Sequence, residues 1–280
     1  MVETERFIHE TGLAISSAGG NTHSRTLPKV PMKKIIIKVG TAITVSAGTV
    51  VANTSVKQIK VRYAGKEIID ITGQSYDDQA SMGILMLREW NKQRNIAADP
   101  DDYFIIDLPT PLPANDMQIT FTNQSAENIG ADASETVTAG DHDIVYDKSK
   151  TVPTQAIVPY ITSLLYSHSS TATSFYIYIP AIPFRLRAIV FCTHDGGTLA
   201  DDTYDTVLIH DRATNRQIFE GSLTDLKSQQ ASRSGVALAT GVFLVWFPEG
   251  ITVQPESLLF RITAGTGGTA KFVEMLLIAW

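Results

Sequence analysis

Short runs rich in apolar β-branched and aromatic residues recur along the chain, each closed by Gly, Pro, Asn, Asp or Ser. This is the pattern of strands with one face buried on a pleated surface. It predicts strands at Lys34–Val39, Ala42–Val45, Lys57–Tyr63, Glu67–Ile71, Tyr103–Leu108, Met117–Thr122 and Asp143–Tyr146. A second series is predicted at Ser174–Ile179, Arg185–Cys192, Thr206–Ile209, Gln217–Glu220, Val242–Phe247, Leu258–Thr263 and Ala270–Ala279.

The period changes over Tyr76–Arg94, where Met82, Met86 and Trp90 recur every fourth residue with Leu85 beside them, predicting a helix with one apolar stripe. Ser75 precedes Asp78 by three residues as in a capping box. Asp77 and Asp78 would sit at the positive end of the helix dipole, and Arg88, Lys92 and Arg94 toward its negative end. A shorter helix, Leu223–Gln230, is predicted behind Ser222, which again has an aspartate, Asp225, three residues on.

These features recur in the same order. Lys57–Tyr63, a turn at Ala64-Gly65, Glu67–Ile71, Gly73 and a capped helix are matched by Thr206–His210, a turn at Ala213–Asn215, Gln217–Glu220, Gly221 and a second capped helix. Downstream, Tyr103–Pro109 is matched by Val242–Pro248, and Met117–Thr122 by Leu258–Thr263. Gly73 to Gly221, Asp78 to Asp225, Pro109 to Pro248 and Met117 to Leu258 span 148, 147, 139 and 141 residues. So steady an offset marks an internal duplication, and its small drift is what loop insertions produce. The expected organisation is an N-terminal arm over residues 1–30, a first β unit over 31–150 and a second over 151–280. The boundary lies in the polar stretch Asp147–Pro159. Short strands joined by several long connections suit antiparallel sandwiches with Greek-key crossings, an all-β fold.

Charge narrows the function. Lys and Arg number 23 against 29 Asp and Glu, a net of −6, which argues against coating nucleic acid by phosphate neutralisation. No run of eighteen apolar residues occurs, and Met1–Leu13 reads as neither signal nor span, so the chain is expected to be soluble when made. The one cysteine, Cys192, lies in an apolar run and is expected as a buried small hydrophobe. The sequons at Asn53 and Asn123 carry no weight without a signal.

Candidate chemistry is sparse. Asp141-His142-Asp143, His194-Asp195 and His210-Asp211 pair histidine with acid, but neighbours on a strand point to opposite faces, so these are expected as solvated loop or edge residues. No nucleophile elbow, zinc-binding helix or phosphate loop occurs, and Gly265–Gly268 between two predicted strands reads as a hairpin turn. Asp201, Asp202 and Asp205 are the candidate metal ligands, a carboxylate cluster for a structural calcium. Arg6, Phe7, Ile8 and Leu13 of the arm are candidate contacts for a membrane or partner. Trp90, Trp246 and Trp280 are expected to pack, which weighs against a tandem β-sandwich carbohydrate- or receptor-binding protein, the principal alternative. A β-sandwich hydrolase ranks behind it for want of a nucleophile and base.

The segments His23–Val39 and Ile59–Gly65, the helix following the latter, and the closing strand Lys271–Trp280 together resemble the double jelly-roll major capsid proteins of the adenovirus and tectivirus lineage, nearest the corticovirus type. The resemblance covers nearly the whole chain as an arrangement and transfers no catalytic residue. It implies two tandem jelly-rolls, with a helix inserted in the first and a shorter one in the second. It implies homotrimers of pseudo-hexagonal outline tiling an icosahedral shell over an internal membrane, with penton and minor capsid proteins as further partners. The chain would be made in the host cytoplasm and reside in the virion, not act as an enzyme.

Overall fold

Ala64 and Gly65 both take positive φ, 49° and 77°, the geometry of a tight hairpin turn whose twist matches its flanking strands. They join β5 (Val56–Tyr63) to β6 (Lys66–Thr72). The computed structural model describes residues 3–15, 20–46, 55–72, 82–96, 103–124, 136–169, 174–195, 198–201, 204–264 and 270–280. It divides into two units, Met1–Thr162 and Ser163–Trp280.

In the first unit β1 (Thr4–Ala14), β2 (Thr22–Leu27), β3 (Met32–Val39) and the short β4 (Thr44–Val45) precede that hairpin. Helix α1 (Met82–Gln93), β7 (Tyr103–Leu112), β8 (Met117–Asn123), β9 (Val137–Ala139) and β10 (Asp141–Ser149) follow. The strands pair in the order β1-β10-β3-β7 on one side and β6-β5-β8-β2 on the other. Sheet neighbours far apart in sequence are the mark of a jelly-roll.

The second unit repeats this wiring. β11 (Tyr160–Ser169), within which the unit division falls, leads to β12 (Ser174–Tyr178), β13 (Arg185–Asp195), β14 (Thr198–Leu199), β15 (Tyr204–Asp211) and β16 (Arg216–Ser222). Then come α2 (Leu223–Ser234), β17 (Val242–Thr252), β18 (Leu258–Ala264) and β19 (Ala270–Ala279). Pairing runs β11-β19-β13-β17 and β12-β18-β15-β16. Strand for strand, β5-β6-α1-β7-β8 corresponds to β15-β16-α2-β17-β18, the duplication that the spacing of the sequence predicts.

Alternation builds each core. Ile37 lies opposite both Ile144 and Phe104, Ile35 opposite Tyr146 and Ile106. The ring of Phe121 on β8 meets His142 edge-on at 5.7 Å, which sets the two sheets face to face. In the second unit Phe191 stacks on Phe243 at 5.2 Å within one sheet and meets Phe260 of the other at 5.9 Å. Each such fully buried side chain contributes about 1.5–3 kcal/mol.

Both helices form where expected. Ser222 caps α2, its Oγ accepting from the Asp225 N–H at 3.0 Å, and Gly235 ends the helix in the left-handed region. Met82, Met86 and Trp90 are buried as the stripe requires. Residues 76–81 and the Ser75–Asp78 cap lie outside the described residues, as does the expected turn at Gly265–Gly268. Unlike a simple amphipathic helix, α1 is buried on its polar side too: Asn91 donates to the Ile105 carbonyl at 2.8 Å and Glu89 accepts from Lys92 at 2.7 Å.

Two expectations are corrected. Residues 1–30 are not a free arm, because β1 pairs with β10 from Thr4↔Ser149 to Ala14↔Asp141, and β2 pairs with β8. β1 and β2 add outer strands to the two sheets. In place of the predicted Ala42–Val45 strand, only Thr44 and Val45 pair, with β9.

Candidate assembly edge and binding groove

β1 is an edge strand, and Thr4 to Ile8 are exposed in succession on both of its faces. Arg6 donates through Nε and Nη2 to Asp147 at 2.8 and 3.2 Å, a fork on a nearly buried carboxylate. Phe7 stacks on Tyr146 at 5.5 Å, with the Lys148 ammonium 6.0 Å from its ring. Ile8 lies opposite Val145, which continues across the sheet to Ile36 and Ile105. The last three are covered, Ile96 among the residues packing on them, whereas Ile8 at the end of the row is 62% exposed. Leu13, grouped with these as a candidate contact, is instead buried at 4%: two register shifts and Gly12 at φ 72° turn it inward.

A second edge carries aromatics that the sequence did not single out. On β12, Tyr176 and Tyr178 point outward at 56% and 44% exposure while Ile177 between them is buried. The Arg212 guanidinium lies 5.8 Å from the Tyr178 ring. The strand alternation of Ser174–Ile179 was the available signal.

The acidic loop does not assemble as a metal cage from its described members. Oδ1 of Asp201 accepts from Lys227 Nζ and from the Gly241 N–H, both at 2.6 Å, so a cation and a backbone donor already hold one of its two oxygens. Asp205 lies exposed on β15, and Asp202 lies outside the described residues. Among the described residues no group of three or more His, Cys, Asp or Glu could hold a metal ion.

The histidines expected to be solvated are mostly buried. His142 has no exposed surface. Its Nε2 lies 2.9 Å from Ser55 Oγ, Nδ1 has no hydrogen-bond partner among the described residues, and desolvation, with the His23 ring adding to it, pushes the pKa down to about 4. His194 stacks on Phe272 at 5.1 Å and places Nε2 3.3 Å from Glu274 Oε1, where burial pushes the glutamate above the ordinary carboxylate range. Cys192 lies opposite Glu274 in the sheet, and its thiol is pushed well up, first by burial and then by that carboxylate. In the third pair His210 is half-buried and Asp211 is buried, accepting from the Ala213 and Thr214 N–H groups to shape the β15–β16 turn.

Beside that turn the second unit has a groove of about 1000 Å³, walled by α2, β16 and β17. Trp246, expected only to pack, is half-buried and lines it. Phe219, Arg216, Arg233 and Gln230 face it from the other elements.

No family model matches this chain, and no curated protein matches it. Solved structures do. The STIV MCP overlays with a TM-score of 0.72 at 12% identity, covering 99% of this chain and 96% of that one. A chain from the atomic structure of Sulfolobus turreted icosahedral virus gives 0.75 at 10%, covering 99% and 90%. The major capsid protein P2 of bacteriophage PM2 gives 0.61 at 13%, covering 99% and 98%. The fold defined by strand pairing is therefore that of the double jelly-roll proteins, end to end.

Proposed function

We propose that this chain is the major coat subunit of an icosahedral virus. Three copies form a pseudo-hexagonal trimer that tiles a closed shell, over an internal lipid membrane and alongside penton and minor capsid proteins. The virion is then its location and assembly, not catalysis, its work. The observation that carries this reading is the overlay of both jelly-rolls, over nearly all of both chains, on proteins described as capsid subunits. A net charge of −6 fits a shell separated from its genome by lipid. Burial of His142 and His194 keeps two of the three apparent His-acid pairs out of reach of a substrate. Within the lineage, the corticovirus type is the finer reading and rests on the sequence resemblance; the higher TM-scores of the Sulfolobus virus chains over the PM2 protein support the broader placement.

Arg6, Phe7 and Ile8 on the β1 edge are the proposed contact with a neighbouring copy or the membrane, with Leu13 anchoring the strand behind them. An edge strand exposed on both faces is a liability unless something covers it. Light scattering on the purified full chain should give the mass of three chains. A clean monomer at micromolar concentration refutes the coat reading. Ile8→Glu separates the two covers: monomers point to a copy of this chain, whereas intact trimers that no longer bind vesicles point to lipid.

A further inference from the structure

We propose that the groove beside Trp246 binds a carboxylate-bearing glycan. The proposal rests on the second unit alone and stands whether or not the coat reading does. At about 1000 Å³ the groove reaches the upper end of the range of small-molecule sites.

Gln230 is the most informative wall residue. It sits on α2 at 5% exposure, lines the groove, and its side-chain amide makes no hydrogen bond among the described residues. The little surface it keeps opens onto the groove, so its amide is left to whatever fills the groove and not to a partner within the described residues. A ligand hydroxyl supplies both a donor and an acceptor to it.

Charge and shape agree. Arg216 and Arg233 border the groove and have no carboxylate partner among the described residues, while Arg185 donates to the Gly250 carbonyl at 2.9 Å. Against these three guanidiniums stand Asp211, engaged by its own turn, and Glu249. The groove is thus locally positive on a chain of net −6, and planar guanidiniums are the side chains that grip carboxylates two-pronged. Trp246 supplies a flat apolar face for the C–H side of a sugar ring. Gln229 and Gln254 add side-chain donors and acceptors, and Thr214, whose hydroxyl donates to Asp211, adds an acceptor, which suits a ring of hydroxyls better than an extended peptide seeking a row of backbone partners.

The test is calorimetric titration of the full-length protein, in its native assembly, with tetragalacturonate, uncharged tetragalactose and tetraglutamate. Tetragalacturonate should bind, and the exposed-site double variant Arg216→Glu, Arg233→Glu should weaken it about tenfold or more without altering the fold. Gln230→Leu should weaken binding to a similar degree while leaving the melting temperature unchanged or higher, since no side-chain hydrogen bond among the described residues is lost; a merely structural glutamine would lower it. Absence of uronate binding overturns the proposal, as does equal binding of tetraglutamate or binding indifferent to these variants. Protection of Arg216 and Arg233 from glyoxal in the sugar-free assembly also overturns it, since another copy would then fill the groove.

Discussion

Acid should weaken the first unit through a single side chain. His142 sits on β10 between Leu13 of β1 and Val39 of β3, held neutral by burial with a pKa of about 4 against an ordinary value of 6.5. Above pH 6.5 both folded and unfolded chains leave it neutral, so it adds no pH dependence there. As pH falls through 6.5 the unfolded chain binds the proton and the folded one does not, so stability drops until the folded pKa is reached. At 1.36 kcal/mol per unit, the full loss is about 3 kcal/mol, most of it gone by pH 4.5. That is a large share of the ~5–15 kcal/mol that holds a domain folded. The assay is urea denaturation from pH 7.5 to 4.5 on the native chain and on His142→Gln, at one protein concentration. The variant loses a pH-independent amount from ring packing against Phe104 and Phe121. The native protein's advantage should then shrink by about 2–3 kcal/mol toward acid. Two parallel profiles would refute the assignment.

Three further outcomes follow from the same packing. Cys192, fully buried with its thiol driven up, should resist a maleimide at pH 8 in the native protein and react at once in denaturant; ready native labelling would contradict its placement. Gly241 holds φ at 69°, and an added Cβ would stand 2.9 Å from the Ala200 nitrogen and 3.1 Å from the Thr193 carbonyl. Gly241→Ala should therefore cost about 2 kcal/mol or more by urea titration, and a neutral result would mean the turn is not as described. Calcium or a chelator should leave the melting temperature where it is, while Asp201→Ala lowers stability by about 1 kcal/mol through the Lys227 and Gly241 contacts. A calcium-dependent rise abolished by that substitution would support the metal reading.

Most strands were legible because their inward faces are apolar. β8, and β5 from Ile59 onward, alternate cleanly, β3 and β7 read as apolar runs, and the duplicated order β5-β6-α1-β7-β8 could be read from turn residues and caps before any pairing was known. β1 was missed for the opposite reason. Glu5, Arg6, His9 and Glu10 show no two-residue apolar period, since neither face of its first half is covered, and pairing with β10 alone makes it a strand. β11 escaped likewise: Tyr160–Ser169, just past the expected boundary stretch Asp147–Pro159, is half-buried over most of its described side chains. The buried histidines were misjudged by a rule about neighbours. Adjacent residues do face opposite ways, but that excludes only a His142-Asp143 pairing and says nothing of which face is the core, which Ser55 and Phe121 decide from distant sequence.

The features that the sequence understated share a cause. Ile8, Tyr176 and Tyr178 are apolar or aromatic where alternation alone would favour charge, and Gln230 is polar where burial would favour leucine. Each violates the rule for a chain that satisfies itself, and each lies at an edge or a groove. A sheet protein whose work was only to fold would cover such edges with charge, as Arg6 and Glu5 do in part on β1. What remains uncovered is most simply explained as surface whose partner is another molecule: a copy or lipid at β1, a sugar beside Gln230. Local inconsistency with the fold is thus the best guide to where this protein meets other molecules.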